Sequence, residues 1–277
     1  MKRFSFLNGK VIPIDEAKVS VSDIGLMRGL SLYEAIAVVG AKPLRLADHW
    51  ERLENGAKTL GLKVPINSAK AGEIIREISE KSGLAGRANV RVILTGGETI
   101  RGIDYNPRNP TFYILVEEWS KLPEENYREG AKLVTFEHRR DMPEVKTTNY
   151  TRAASLQGWK KKEGALEILY THEGKILECA TSNIFLVKGG VTVTPDRDIL
   201  EGVTRKIVLE LAEGKYKTEK REVAVGELDA ADEIFITASF KDIVPIVRVD
   251  KKKVRSGEVG PVTKDIMERY AKYLANF

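Results

Sequence analysis

The sequence predicts an α/β (α+β) protein of two domains, and three observations support this prediction. Its 277 residues allow one large or two medium domains with a substantial hydrophobic core. Helical and strand periodicities are interleaved along the chain. Residues 119–127, Trp-Ser-Lys-Leu-Pro-Glu-Glu-Asn-Tyr, are typical of an interdomain linker. The predicted boundaries are an N-terminal domain at 1–118, this linker, and a C-terminal domain at 128–277.

The N-terminal half begins with a predicted hairpin, because Asn8-Gly9 is a strong two-residue turn signal between two apolar segments. Apolar residues at helical spacing predict helices over 45–60 and 68–82, each followed by glycine. A long polar loop is expected at 98–110, where function is often located. The strands predicted in this half are 3–7, 10–14, 32–39, 88–95 and 111–116.

The C-terminal half combines short strands with three predicted helices. The helices are expected after residue 150 to about 162, over 203–213, and over about 261–275. The segment 243–249 is predicted as a strand broken by Pro245. The other predicted strands are 131–136, 166–170, 175–178, 184–188 and 191–194, with 233–237 near the end.

The composition and net charge of the chain exclude several kinds of protein and several kinds of partner. Hydrophobic residues make up 42% and charged residues 31%, as in soluble globular proteins, and no apolar run is long enough to span a bilayer. One cysteine leaves no internal disulfide framework, so a cytoplasmic location is expected. Three dispersed histidines lack metal-ligand spacing, so no metal is expected. A net charge of +5 suits small anionic substrates, and neither nucleic acid nor membrane is an expected partner.

An acid at the end of an apolar strand is the first candidate for chemistry. Glu178 follows Lys175-Ile176-Leu177 and precedes Ile184-Phe185-Leu186, which favours partial burial over a solvated edge position. A buried carboxylate is costly unless a cation faces it. We therefore expect a positive partner for Glu178, and a protonated pyridine nitrogen is the candidate.

Lys146 is the second candidate, and it lies after an apolar approach and before a predicted helix. Taken alone, a lysine in such a place is more often an ordinary surface residue. A desolvated lysine can instead form a Schiff base with an aldehyde cofactor. The core acid later in the chain favours this second interpretation.

Anion-binding features form a third group. Gly202-Val203-Thr204 opens a predicted helix, whose first N–H groups and dipole attract phosphate, although a helix start alone is weak evidence. Thr237-Ala238-Ser239 follows a buried strand and offers hydroxyl and N–H donors. Arg52 lies at the border of a helix face, where it either remains solvated or binds an anion.

Together these residues resemble the class IV, fold-type IV pyridoxal-phosphate aminotransferases. That family includes branched-chain aminotransferases, D-amino-acid transaminases and aminodeoxychorismate lyase. The resemblance covers almost the whole chain, because six motifs occur in the family's order. The motifs are Leu32-Tyr33-Glu34, His49-x-x-Arg52-Leu53, Lys146-x-x-Asn149, Glu178-x-x-x-Ser182-Asn183-Ile184-Phe185, Gly202-Val203-Thr204-Arg205, and Thr237-Ala238-Ser239 with Pro245.

The resemblance implies pyridoxal 5'-phosphate as cofactor, amino acids and 2-oxo acids as substrates, and a homodimer whose partner subunit completes the pocket. It also implies a small α/β N-terminal domain and a barrel-like C-terminal domain, with the cofactor between them. Lys146 would be the Schiff-base lysine and proton shuttle. The implied cofactor-binding residues are Arg52, Lys146, Tyr150, Glu178, Leu200, Val203, Thr204 and Ser239. The implied substrate-binding residues are Arg28, Tyr33, Arg91 and Arg101.

The implied roles of the cofactor ligands differ. Arg52 and Ser239, with two backbone N–H groups at the helix start, would hold the phosphate. Glu178 would bind the pyridine nitrogen and Leu200 would pack on the ring face. Tyr150 would reach the phenolic oxygen of the cofactor.

Two features of the sequence that differ from the patterns of particular subfamilies bear on the substrate class. The spacing Lys146-Thr-Thr-Asn149-Tyr150 is similar to that of D-amino-acid transaminases and shorter than that of branched-chain enzymes. The loop 96–102 lacks the Arg-x-His pair that usually binds the α-carboxylate in D-amino-acid transaminases, so Arg28 and Arg91, or Arg101, would form a different clamp. We expect an atypical D-amino-acid transaminase that uses 2-oxoglutarate or pyruvate by a ping-pong mechanism. The alternatives are an L-branched-chain aminotransferase and, after it, aminodeoxychorismate lyase or a cofactor-binding protein without transaminase activity.

Overall fold

The structure is a computed structural model that describes residues 3–84 and 86–277. The chain forms two compact units. The first unit runs to Ser120 and also includes Val145–Asn149. The second unit consists of Lys121–Glu144 and Tyr150–Phe277. This division differs from the predicted boundaries, because residues 145–149 pack with the first unit although they follow the predicted linker.

A six-stranded sheet with helices forms the first unit. The sheet order is β2-β1-β8-β5-β3-β4, and two further strands pair with each other as a separate hairpin. The strands are β1 Phe4–Leu7, β2 Lys10–Pro13, β3 Ser31–Val39, β4 Lys42–Pro43, β5 Arg87–Thr95, β6 Thr99–Arg101, β7 Asp104–Tyr105 and β8 Thr111–Glu118. The helices are α1 Ile24–Arg28, α2 Leu46–Thr59 and α3 Ser68–Lys81.

One face of this sheet carries the core of the first unit. Helices α2 and α3 pack on that face, and Leu32, Ile36 and Val38 of β3 are buried in the shared core. Because side chains alternate along a strand, Glu34 belongs to the same face and is also fully buried. The predicted hairpin is confirmed, since β1 and β2 pair antiparallel with Leu7 opposite Lys10.

A ten-stranded sheet with six helices forms the described part of the second unit. The order is β14-β13-β12-β16-β17-β9-β10-β11-β15, with β18 paired to β17. The strands are β9 Ala131–Glu137, β10 Glu167–His172, β11 Lys175–Cys179, β12 Asn183–Lys188, β13 Val191–Thr194, β14 Thr218–Lys220, β15 Val223–Ala224, β16 Glu233–Ala238, β17 Asp242–Val249 and β18 Lys252–Lys253. The helices are α4 Glu124–Arg128, α5 Thr151–Ser155, α6 Gln157–Lys162, α7 Val203–Ala212, α8 Glu227–Ala230 and α9 Pro261–Ala275.

Three local predictions are corrected by the structure. The polar loop 98–110 contains the hairpin β6–β7. The helix expected to reach residue 162 is divided into α5 and α6 at Leu156, which has ψ near 0°. Strand β17 continues through Pro245, which lies opposite Phe235 of β16 and precedes Ile246, the first residue of β17 that pairs with β9. Proline is tolerated where a strand is paired on one side only.

Candidate functional site

The predicted site residues are distributed over both units. Those in the first unit are Arg28, Tyr33, Arg52, Arg91, Arg101 and Lys146. Those in the second unit are Tyr150, Glu178, Leu200, Val203, Thr204 and Ser239. Each unit therefore provides its own set of chemical groups.

Arg52 is held by a buried carboxylate. Its Nε donates to Glu34 Oε1 at 2.8 Å and its Nη2 to Glu34 Oε2 at 2.6 Å. The Arg52 side chain is 13% exposed and that of Glu34 is 0% exposed. Two parallel hydrogen bonds fix both the position and the plane of the guanidinium group. Arg52 is thus an oriented cation rather than a solvated one.

Glu34 also binds His49, which sequence reasoning did not place among the site residues. Burial by itself would raise the pKa of Glu34, but the Arg52 charge and the hydrogen bonds from Arg52 and His49 lower it to about 2. Burial lowers the pKa of His49 against the opposing effect of Glu34. A neutral His49 therefore donates its Nδ1 proton to Glu34 Oε2 at 2.7 Å. An acid at a core-facing position of an apolar strand was the signal that could have found this group.

Lys146 lies beside the first residues of β3. The N–H of Tyr33 donates to the Lys146 carbonyl at 3.0 Å, and Thr147 forms a β-bridge with Leu32. Lys146 Nζ is 4.5 Å from the centroid of the Tyr33 ring. The lysine is half-buried, so its ammonium group is partly desolvated against an aromatic face. Lys146 and Tyr33 thus form one local cluster.

The three substrate-binding arginines predicted from the sequence lie on three different elements. Arg91 Nε donates to Glu117 Oε2 at 2.8 Å, and both residues are partly exposed on β5 and β8. Arg28 ends α1 and Arg101 lies on β6, and both are exposed. The segments that carry Arg28 and Arg101 are joined, since the N–H of Thr99 donates to the carbonyl of Ser22 at 2.9 Å.

Glu178 is buried at the end of β11, as the sequence predicted, with 6% exposure. Its Oε1 accepts from Arg140 Nε at 2.9 Å and from Arg140 Nη2 at 2.6 Å. Its Oε2 accepts from the N–H of Leu200 at 3.1 Å. Arg140 is a cationic partner that the sequence interpretation missed. The carboxylate is therefore oriented by protein groups before any ligand binds.

A close packing contact links Glu178 to the start of α7. Asn183 Nδ2 lies 3.5 Å from Glu178 Oε2 and donates to the Leu200 carbonyl at 2.8 Å. A Cβ atom on Gly202 would lie 2.0 Å from Asn183 Oδ1, so this position requires glycine. The next two residues, Val203 and Thr204, begin α7 without a side-chain cap. The first N–H groups of α7 are thus placed by the same residues that orient Glu178.

The turn between β16 and β17 adds hydroxyl groups. Ser239 is half-buried in this turn, and Thr237 is 2% exposed at the end of β16. The Thr237 Oγ1 atom has no hydrogen-bond partner among the described residues. A buried hydroxyl group without a protein partner is able to donate to a bound group.

Tyr150 and Tyr170 belong to an apolar cluster beside β10 in the second unit. Tyr150 is half-buried, precedes α5 and packs against a cluster that includes Tyr170 and Leu177. Burial raises the pKa of Tyr170 to about 12. Tyr170 therefore remains a protonated phenol at neutral pH.

Two other kinds of site are absent from residues 3–84 and 86–277. No group of three or more His, Cys, Asp or Glu side chains there could hold a metal ion. In the same residues, no helix has the length and apolarity needed to cross a bilayer.

Comparison with known proteins decides the family. The sequence profile of "Amino-transferase class IV" matches residues 31–249. This chain belongs to the class IV aminotransferase family. Among relatives of this class IV aminotransferase is an inferred branched-chain-amino-acid aminotransferase of Methanocaldococcus jannaschii, 31% identical over 96% of this chain and 94% of its own. The D-alanine aminotransferase of Staphylococcus epidermidis is 27% identical over 97% of both chains.

Solved structures support the fold of this class IV aminotransferase. A branched-chain amino acid aminotransferase solved with pyridoxamine 5'-phosphate matches with a TM-score of 0.92 and 27% identity, over 100% of this chain and 95% of the other. The branched-chain aminotransferase of Thermoproteus uzoniensis, solved with norvaline, matches with a TM-score of 0.91 and 26% identity, over 100% of this chain and 96% of the other. The predicted α/β fold-type IV architecture is thereby confirmed.

Proposed function

We propose that this class IV aminotransferase is a pyridoxal 5'-phosphate-dependent transaminase that moves an amino group between a D-amino acid and a 2-oxo acid such as 2-oxoglutarate or pyruvate. The cofactor assignment rests on one observation, which is that hydrogen bonds connect a buried carboxylate, Glu178, to the segment that leads into the uncapped start of α7. An acid and an anion-binding helix end in one network suit a molecule that carries a pyridine nitrogen and a phosphate.

The residues present fit that cofactor. Glu178 would accept a hydrogen bond from the ring nitrogen, and the N–H groups of Val203 and Thr204 would bind the phosphate. The orphaned Thr237 hydroxyl and the neighbouring Ser239 offer further donors. The other proposed ligands are Arg52, Leu200, Tyr150 and Lys146, to which the cofactor would be covalently attached.

When bound, the cofactor would supply an electron sink that makes the Cα proton of the substrate acidic. Lys146, as the neutral amine, would take up that proton at Nζ and later return it. The Tyr33 ring, whose centroid lies 4.5 Å from Nζ, would help to position the amine. Arg140 holds the Glu178 carboxylate in one orientation, and that carboxylate would keep the ring nitrogen protonated.

The D-amino-acid assignment rests on the Lys146-Thr-Thr-Asn149-Tyr150 spacing and on relatives such as the S. epidermidis D-alanine aminotransferase. Arg28 and Arg91, or Arg101, would bind the substrate carboxylates. Release of Arg91 from Glu117 would be part of that binding. An L-branched-chain aminotransferase is the second candidate, because the M. jannaschii relative and the T. uzoniensis structure carry that name.

Enantiomer-resolved half-reactions test this proposal. The purified protein, loaded with pyridoxal phosphate, is mixed with single D- or L-amino acids, and loss of the cofactor's yellow colour is followed. We expect D-alanine and D-glutamate to react and L-leucine and L-valine to remain inert. The reverse pattern would replace the proposed substrate class with the second candidate.

A lysine variant tests the cofactor chemistry separately. Lys146→Ala should lose the absorbance of lysine-bound pyridoxal, whereas Lys188→Ala, at an exposed position on β12, should retain it. If Lys146→Ala kept the band and the transamination rate, another residue would be the Schiff-base lysine.

We also propose a homodimer, on the basis of an apolar surface on the first unit. Val21 is 85%, Leu26 71%, Ile100 74% and Ile103 72% exposed. The two segments that carry them are joined by the bridge between Asp23 and Glu98. Large apolar side chains grouped at a surface are typical of an interface, and a second copy of this chain is the proposed occupant.

A further inference from the structure

We propose that Lys241 and Glu167 form an internal clamp that holds the turn carrying Ser239 against the loop that follows Glu178, and that this clamp sets the affinity for the phosphorylated cofactor. This inference rests on the proposed function. Neither residue belongs to a motif that pointed to the family. Both act through other groups and are positioning residues.

The clamp has a buried acid at its centre. Glu167, the first residue of β10, is 4% exposed. Its Oε1 accepts from Lys241 Nζ, from Thr181 Oγ1, and from Ser182 Oγ at 3.0 Å. Burial by itself would raise the pKa of Glu167, but the Lys241 charge and these hydrogen bonds lower it. Glu167 is therefore a carboxylate held by three donors from two other segments.

Lys241 ties the turn to the loop directly. Its Nζ contacts Thr181 Oγ1 at 2.5 Å and Ser182 Oγ at 3.2 Å. Its own N–H donates to the Ala238 carbonyl at 3.2 Å, which closes the turn around Ser239. The side chain that grips the loop and the hydroxyl proposed for the phosphate are thus two residues apart.

The loop that receives Lys241 is in turn held in place by backbone hydrogen bonds of the two residues that follow Glu178. The N–H of Cys179 donates to the Ser182 carbonyl at 2.8 Å, and the N–H of Ala180 donates to the Ile168 carbonyl at 2.9 Å. Asn183, which follows Ser182, is the residue that packs against Gly202 and binds Leu200. The clamp therefore joins the Ser239 turn to the network that also places Glu178 and the start of α7.

Geometry explains why such a clamp matters for binding. The ring nitrogen and the phosphate are held at a fixed separation by one small, stiff molecule. The protein groups that bind the two ends must keep the matching separation, or one end loses its hydrogen bonds. A largely buried ion pair adds little net stability compared with an apolar pair of the same shape, so we assign this pair to holding one arrangement of the turn and the loop.

Titration of the apoprotein with pyridoxal phosphate tests the clamp. Lys241→Met should weaken cofactor binding by about tenfold or more, because the turn is no longer held at one separation. Lys241→Arg keeps the charge and should recover part of the affinity. Lys252→Met is the matched control, since Lys252 pairs with Asp229 at an exposed site of the same unit, and its affinity should equal that of the wild type.

Melting temperatures with and without the cofactor separate positioning from stability. A positioning role reduces the increase in Tm that the cofactor produces, whereas a merely structural role lowers both values equally. Thr181→Val removes one donor from an exposed residue and should fold normally while binding the cofactor about threefold more weakly.

Three results would overturn the clamp. The first is a dissociation constant for pyridoxal phosphate in Lys241→Met that equals the wild-type value. If Lys241→Met does not fold, the second is an unchanged dissociation constant in Thr181→Val. The third is a wild-type protein that does not bind the cofactor at Lys146, which refutes the proposed function as well. The first two leave the proposed function intact.

Discussion

Glu34 shows at the residue scale how this chain buries an acid without neutralising it. The carboxylate lies at a core-facing position of β3, where its desolvation is costly. Arg52 and His49 lie one helical turn apart on α2 and reach the same carboxylate. The pattern His49-x-x-Arg52 therefore has a structural reason, which is that both side chains point at Glu34.

The free energy of unfolding at acid pH should depend on Glu34. The pKa of Glu34 is about 2 in the folded chain against 4.5 in a free side chain, which corresponds to about 3 kcal/mol. A lowered carboxyl pKa contributes stability that is fully present above 4.5 and is lost as the pH falls toward about 2. A lowered histidine pKa acts in the same direction, since His49 resists protonation that the unfolded chain accepts below 6.5.

Denaturant unfolding at a series of pH values measures this effect. In Glu34→Gln the part of the acid-dependent loss between pH 4.5 and about 2 should be smaller than in the wild type. The variant should also be less stable at pH 7 by about 3 kcal/mol, because Arg52 loses its partner. Glu73→Gln, which removes an exposed partner of Lys70, should unfold as the wild type does. Parallel pH profiles for wild type and Glu34→Gln would contradict the assignment.

Glu178 leads to a second residue-scale prediction. Glu178→Gln removes the charge that, in the proposed function, would keep the cofactor nitrogen protonated, but it retains the shape of the side chain. Turnover should fall by roughly 100-fold while the cofactor remains bound. Rate measurements and absorbance of the bound cofactor check the two parts. An unchanged kcat would mean that the ring nitrogen has another partner.

The sequence identified Glu178 but not its partner, and the reason is distance along the chain. The acid was recognisable because apolar residues surround it. Arg140 lies 38 positions away in a charged turn that contains another arginine, Arg139, and no local pattern distinguishes them. Arg139 pairs with Asp198 at the surface, and only tertiary structure assigns the two roles.

At the scale of elements, helix α7 also shows which features the sequence predicted and which ones only the tertiary structure reveals. Its range was predicted well, because Val203, Ile207 and Val208 give a clear helical period. What the period could not show is how tightly the residue before it is packed. Gly202 has an ordinary negative φ, so its necessity comes from the neighbouring Asn183 and not from backbone strain.

Gly202→Ala tests that packing. The added Cβ would displace Asn183 and with it the hydrogen bond to Leu200, so we expect a loss of about 2 kcal/mol or more and weaker cofactor binding. Gly158→Ala is the matched control, because Gly158 lies in α6 with open space around it, and alanine should stabilise that helix slightly. Thermal unfolding and cofactor titration measure both variants. Equal behaviour of the two alanine variants would contradict the packing argument.

Two other elements show where sequence patterns were misleading. The segment 98–110 is mostly polar, and polarity predicts a loop, yet Gly102 at φ 63° permits the tight turn of the β6–β7 hairpin. Pro245 was expected to break a strand, since proline lacks a donor. At Pro245 the strand pairs with β16 alone, because its pairing with β9 begins at Ile246, and the strand therefore continues without the missing N–H.

At the scale of the whole molecule, the exposed apolar surface predicts association. Ile100→Asp combined with Ile103→Asp places charges on side chains that are 74% and 72% exposed. The double variant should sediment as a monomer. Each chain should still fold, because the substituted side chains lie at the surface, although the stability that the dimer contact adds is lost. Phe277→Asp, at the chain end in the second unit, should leave the sedimentation unchanged. A wild-type protein that sediments as a monomer would refute the dimer.

The two-unit division has a consequence for synthesis on the ribosome. Val145 is part of the core of the first unit, and Thr147 extends the edge of β3 by a bridge to Leu32. A nascent chain that ends at Ser120 therefore lacks a piece of its own interior. We expect the core of the N-terminal unit to be complete only after residues 145–149 have emerged from the exit tunnel, and the same segment carries Lys146.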